Sequence, residues 1–299
     1  EQPWRLTHWR TQSDAISHRR FFSVTGLIGV CVEKPEVFED VHRLLFELVA
    51  EGVVDGVRID HIDGVVDPAG YLDQLRARLP GTPIWVEKIL SGAETLPRDW
   101  PVQGTTGYVA ARAFSRLLTD GDGLDRVDAA YRAATGRTSP VADVIRRARH
   151  QVMTDDLAAE LWTLQRMLAE IAEGDPLGVE FGPETLREAL LEVIAAFPRY
   201  RTYMTAGAVS EADAALIRAT AARAEERLTD PGAIPFLADV LTRPTPETAR
   251  FRLRFQQVTG AAVAKSAEDT AFYREVVLLS ANEVGGEPDD DPLGIDGST

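Results

Sequence analysis

The chain has 299 residues, a formal net charge of −15 and an apolar fraction of 44%, enough nonpolar side chains for one large domain or two ordinary ones. Acidic residues are spread throughout, with a denser run at 289–291; this excludes a duplex DNA or RNA partner, which needs clustered Lys and Arg to neutralise phosphate. No apolar run approaches the ~18–20 residues of a membrane span, residues 1–5 hold no signal-peptide core, and the single cysteine, Cys31, cannot form an internal disulfide. A cytoplasmic protein without a membrane partner is expected. There is no phosphate-cradling glycine loop and no Cys/His spacing that would cage zinc, so neither a cofactor nor a metal is expected.

The first 25 residues are rich in Trp, Arg and His and lead to Arg19, Arg20, Phe21 and Phe22. The double Phe predicts a short buried strand preceded by two arginines, which could line a polyol or carboxylate site or simply face solvent. Over 36–52 the spacing predicts a helix, with Val41, Leu44, Leu45, Leu48 and Val49 on one apolar stripe and Gly52 in place for a left-handed cap. A strand follows at 54–60. A second helix opens at Asp67 and Pro68, an N-cap followed by proline at the first helical position. It buries Leu72, Leu75 and Leu79 and ends at Pro80 and Gly81. The next strand covers 82–87. Helix, strand, helix and strand joined by short loops predict a parallel α/β sheet or barrel.

The chemistry is concentrated where those two strands end. Residues i and i+2 of a strand share a face, so Arg58 and Asp60 project together, and the following strand delivers Glu87 at the matching end. Two acids at the carboxyl ends of neighbouring parallel strands suit a pair working on one glycosidic bond. Any one of them, taken alone, is as readily a helix cap or an arginine partner. The loop 90–108, with Trp100, Gly104, Gly107 and Tyr108, suits either a binding loop above a sheet or an ordinary connection.

From about 109 to 248 strand patterns vanish. Leu157, Leu161, Leu164, Leu168 and Ile171 mark one helix; Pro183 starts another that buries Leu186, Leu190, Val193 and Phe197; Ser210 caps a third. This stretch is far longer than an ordinary βα loop. Within it, 197–203 is too aromatic and basic for a simple linker. The α/β texture is expected to return at 260–272, with a short apolar strand running into Lys265, Glu268 and Asp269. The end, 287–299, is expected to be a loose tail.

Several stretches together resemble the maltooligosyl trehalose synthase family of the α-amylase-like glycoside hydrolase superfamily. They are QPWRLTHWR (2–10), RRFF (19–22), DGVRIDHIDG (55–64), VEKIL (86–90), DWPVQGTTGY (99–108), FPRYRTY (197–203), KSAEDTAFYR (265–274) and NEVGG (282–286). They stand in the family's order and cover most of the chain. The Arg-x-Asp element marks only the superfamily; the last three stretches point to the trehalose-forming branch. The matches depart from the family's usual residues at Ser17, His18, Ser23, Arg199 and Ser266.

The resemblance implies a partial (β/α)8 barrel of TIM type with a large all-α insertion: barrel segments at 1–108 and 251–286, the insertion at 109–250 and the tail beyond. It makes Asp60 the nucleophile, Glu87 the general acid/base and Arg58 the cation that keeps Asp60 ionised. His61, Lys88, Arg20, Tyr108, Lys265, Glu268 and Asp269 become sugar-binding residues. The implied reaction moves the reducing-end α-1,4 link of a maltooligosaccharide to α,α-1,1 with retention. The superfamily's third carboxylate, an Asp following a later His, has no counterpart downstream of Glu87. The chain is therefore expected to be a segment of a longer enzyme, partnered by the remaining barrel segments and with little activity alone. An α-glucan hydrolase and a non-catalytic glucan-binding module are the competing readings.

Overall fold

A computed structural model describes residues 5–11 and 16–286. The expected tail at 287–299 lies outside the described residues, as do residues 2–4 of the first motif. The chain divides into two compact units: residues 1–31 with 149–263, and residues 32–148 with 264–299.

In the first unit, β1 (Arg20–Phe21) and β2 (Val24–Ile28) form an antiparallel hairpin. The expected buried Phe pair is corrected here: Phe21 is exposed, and Phe22 turns the chain at φ 50°. The buried member is Arg20, whose guanidinium grips both carboxylate oxygens of Glu160 at 2.9–3.0 Å and donates to the carbonyls of Ser23 and Asp156. A bidentate pair of this kind is fixed in direction as well as distance.

Helices dominate the rest of the unit, and the second unit begins with helices and strands in alternation. In chain order the helices are α1 (Pro35–Ala50), α2 (Pro68–Arg78), α3 (Tyr108–Leu117), α4 (Gly121–Thr135), α5 (Val141–Thr154), α6 (Ala158–Glu173), α7 (Pro183–Ala195), α8 (Glu211–Glu225), α9 (Ala233–Thr242) and α10 (Pro246–Ser266). Within the first unit, α6 to α9 pack through Leu161, Leu164, Leu168, Leu190, Ile194, Ile217, Ile234 and Leu237, all essentially buried. Ser210 caps α8 by accepting from the Asp213 amide. Arg149 is buried against the carboxyl end of α7, donating to the carbonyls of Ile194, Ala195 and Phe197. A cation is favoured at that end, where the last carbonyls lack helical partners.

The segment after α7 is an extended strap. Gln256 of α10 accepts from the Met204 amide and donates to its carbonyl, while Arg252 reaches the carbonyls of Thr205 and Ala206. The aromatic and basic run at 197–203 is thus internal: Phe197, Arg201 and Thr202 are buried.

In the second unit, β3 (Val57–Ile59), β4 (Ile84–Val86) and β5 (Gly104–Thr105) form a parallel sheet in the order β3-β4-β5. Asp67 caps α2 by accepting from the Gly70 amide, and Leu72, Leu75 and Leu79 are buried as expected. α1 is corrected in its facing. Its fully buried side chains are Phe38 and His42, whereas Val41 and Leu44 of the expected stripe are exposed. His42 spans to α2 through a 2.7 Å bond to the Tyr71 hydroxyl, and aromatic packing with Phe38 completes that contact.

The strand expected at 260–272 is also corrected. Residues 246–266 are one helix, followed by a π-helical turn, Ala267–Ala271. Phe251, Phe255, Val258 and Ala262 recur at three- and four-residue spacing and are all buried, so helical burial overrides the strand-like texture of the Ala/Val run. The described chain is mostly helical, with two small sheets.

Candidate active site

The parallel register aligns Val57 with Ile84, Arg58 with Trp85 and Ile59 with Val86. The next residues on the two strands, Asp60 and Glu87, therefore leave the sheet side by side at its carboxyl edge. The Glu87 amide donates to the Ile59 carbonyl at 2.7 Å, which carries the pairing one step past the formal strand.

Arg58 bridges the edge. Its Nη1 lies 2.7 Å from Asp60 Oδ1, and its Nε donates to Thr106 Oγ1 just beyond β5. Trp85, half-exposed, lies on the same face as Arg58, and a Cβ on Gly56 would come within 2.9 Å of its ring. Glycine is what lets that ring lie against the backbone at the start of β3. Sequence reasoning passed over both Trp85 and Thr106. Their signal was positional: each sits on the Arg58 face once the register is known.

Glu87 is in a different setting from Asp60, which stays well exposed. Its Oε2 accepts the backbone N–H of His61 at 2.9 Å. Burial pushes the Glu87 carboxyl upward from its ordinary value; the His61 amide opposes that shift, Asp60 and Asp63 reinforce it, and Arg58 opposes it. Desolvation disfavours the anion, so the proton is held more tightly.

The amide reaches Glu87 because His61 adopts a left-handed conformation, φ 52° and ψ 46°, as the chain turns into a single 3-10 turn, Ile62–Gly64. A Cβ on Gly64 would overlap the His61 ring. Lys88 points away into the interior. Its ammonium is fully buried between Asp63 at 3.1 Å and Glu94 at 3.2 Å, and it donates to the Ile89 carbonyl. Tyr108 opens α3 after Gly107, at φ 87°. Its hydroxyl titrates above the ordinary phenol range through burial and then the charge of Glu87, with smaller effects from Arg58, Glu268 and Asp60.

The structure thus brings Arg58, Asp60, His61, Glu87 and Tyr108 into one neighbourhood, with Glu268 in electrostatic reach of Tyr108. Lys265 pairs with Asp269 at 3.6 Å at the end of α10, and Asp269 is exposed. Arg20 lies in the other unit, engaged by Glu160. Among the described residues, no group of three or more His, Cys, Asp or Glu side chains is arranged to hold a metal ion, and no helix is long and apolar enough to cross a membrane.

Two carboxylic acids at the ends of adjacent parallel strands, one exposed beside a guanidinium and one half-buried with its proton affinity raised by burial, can divide the roles of nucleophile and acid in glycoside cleavage. No protein-family profile matches the chain. It is 36% identical over 290 residues to Mycobacterium tuberculosis proteins carrying the provisional name maltooligosyl trehalose synthase, an alignment covering 96% of this chain and 35% of those proteins. The solved maltooligosyltrehalose synthase of Arthrobacter ramosus superposes with a TM-score of 0.81 at 36% identity, over 95% of this chain and 35% of that one. A Sulfolobus tokodaii structure described as a hypothetical maltooligosyl trehalose synthase gives 0.70 at 28% identity. The chain therefore spans about a third of the length of the relatives it matches.

Proposed function

We propose that this chain carries the nucleophile and the general acid/base of a retaining intramolecular glucosyl transfer, the reaction named for its relatives. One observation carries the reading: Asp60 and Glu87 leave adjacent parallel strands in register, Asp60 exposed beside Arg58 and Glu87 with its proton affinity raised by burial. In the reaction, Asp60 attacks the anomeric carbon of a reducing-end linkage while Glu87 gives its proton to the departing oxygen. The freed glucose turns in the site. Its anomeric hydroxyl attacks the glucosyl–Asp60 ester, Glu87 takes the proton back, and an α,α-1,1 link results with no net water consumed.

Arg58 holds Asp60 in place. His61, Tyr108, Lys265, Glu268 and Asp269 are candidates for contacting the sugar hydroxyls of a maltooligosaccharide. Lys88 and Arg20 have their charged groups engaged by carboxylates, so their contribution is to the frame of their units. In this reading the β3-β4-β5 sheet is part of a (β/α) barrel, 1–108 and 251–286 supply barrel segments, and 109–250 is a helical insertion. The rest of the barrel comes from further segments of a longer enzyme working in the cytoplasm.

The test is loss of reducing ends from maltopentaose, with free glucose followed in parallel, in a longer polypeptide that supplies the remaining barrel segments to this chain and in its Glu87→Gln and Asp60→Asn variants. Loss in the wild type that disappears in both variants supports the proposal. Free glucose without a non-reducing product would replace it with an α-glucan hydrolase. Maltooligosaccharide binding without turnover, unaffected by Asp60→Asn, would replace it with a glucan-binding module.

A further inference from the structure

Behind Glu87 lies a charged cluster that the proposed chemistry does not use. Lys88 directly follows Glu87, and its ammonium is buried with Asp63 at 3.1 Å and Glu94 at 3.2 Å. Glu94 is itself tied into its loop, accepting from the Ser91 amide. Asp63 belongs to the 3-10 turn that begins just after His61, the residue whose amide meets Glu87. The turn is thus held at two points to consecutive residues of the β4 exit: His61 N–H to Glu87, and Asp63 to Lys88. A non-glycine residue in the left-handed region is intrinsically unfavourable and persists only where its surroundings impose it.

We infer that Asp63 and Lys88 are positioning residues for Glu87, the buried Asp63–Lys88 pair pinning the 3-10 turn so that the left-handed His61 keeps its amide on the Glu87 carboxylate. The inference rests on Glu87 being the proton donor for its functional meaning, but not for its test. Lys88 is anchored on its far side by Glu94, so the pin is braced against a second loop rather than against solvent. The charged and titratable groups acting on Glu87 are Arg58 and Asp60 at the end of β3, Asp63 in the turn and Tyr108 at the start of α3.

Two substitutions at one position separate the pin from the charge. Asp63→Asn removes the negative charge but keeps an oxygen for Lys88. Asp63→Ala removes both, while Lys88 keeps Glu94. The readouts are hydrogen exchange of the His61 amide and a carbon-13 titration of the Glu87 carboxyl, assigned with Glu87→Gln. In Asp63→Ala the His61 amide should exchange about fivefold faster, the equivalent of one net hydrogen bond; in Asp63→Asn it should exchange as in the wild type. Both variants lose the charge that raises Glu87, so Asp63→Asn should titrate below the wild type. Asp63→Ala should titrate above Asp63→Asn, because it also loses the amide that stabilises the anion.

Identical His61 exchange and identical Glu87 midpoints in the two variants would overturn the inference. If Asp63→Ala does not fold, Lys88→Met takes its place, with the same faster His61 exchange expected and an unchanged rate counting against the pin. The functional reading fails separately: turnover indifferent to Glu87→Gln would remove the acid role and leave these structural results standing.

Discussion

Glu87 Oε2 accepts the backbone N–H of His61 at 2.9 Å, so the half-buried carboxylate is steadied by main chain from the neighbouring strand's exit. That contact opposes the burial that raises its proton affinity, and burial wins. Glu87 is therefore costly to the fold wherever it is ionised. Because the folded carboxyl titrates above the unfolded one, the cost is absent below the unfolded value, near pH 4, and sets in as pH rises through the folded value. Glu87→Gln, which keeps an acceptor for His61, should unfold at a higher temperature than the wild type near neutrality, and the gap should close on acidification. Calorimetry at the two pH values checks this; a gap independent of pH would contradict it.

Arg20 and Glu160 form a bidentate pair with both side chains almost fully buried. Removing one partner strands a charge, so Arg20→Met or Glu160→Gln should each destabilise the first unit by about 3–5 kcal/mol. Replacing both with Met should recover most of the loss. Urea unfolding of the two single variants and the double variant measures the coupling.

Tyr71 is buried against His42, and burial pushes its phenol up to about 12. Its contribution to stability is complete below the unfolded phenol value of about 10 and is lost as pH rises through 12. An alkaline absorbance titration should show a late phase near pH 12 that belongs to Tyr71. Tyr71→Phe should abolish that late phase and cost about 0.5–1.5 kcal/mol for the lost hydrogen bond.

Gly56 lies under the Trp85 ring, 2.9 Å from where a Cβ would sit. Gly56→Ala should displace the indole from the Arg58 face and destabilise the protein by about 1–3 kcal/mol. A shift in tryptophan emission accompanying the lower midpoint would tie the loss to Trp85; emission unchanged from the wild type would place it elsewhere.

Much of the site's frame was legible in the sequence because its signals are local. Asp67 and Pro68 announce α2, the apolar run into Arg58 and Asp60 announces a strand end, and the motifs around Asp60, Glu87 and Tyr108 resemble one family. What was not legible depends on partners far along the chain. Periodicity marks α1 as amphipathic but cannot say that Phe38 and His42, not Val41 and Leu44, turn inward. The Ala/Val run near 262 carries little period of its own, and its helix is set by Phe251 and Phe255 upstream. Lys88 looked like a sugar ligand beside Glu87; its pairing with Asp63 and Glu94 needs the fold to bring two loops together. β5, two residues long, has no pattern to detect.

The group that steadies Glu87 belongs to the peptide unit, and the side chain at 61 is only its bearer. Ring chemistry at that position can therefore change without removing the clamp, as long as the newcomer tolerates φ 52°, which glycine and asparagine do most readily. Proline alone deletes the N–H outright. Position 61 is thus one where a lineage could change the side chain by ordinary point changes while the Glu87 carboxyl beside it keeps its main-chain partner.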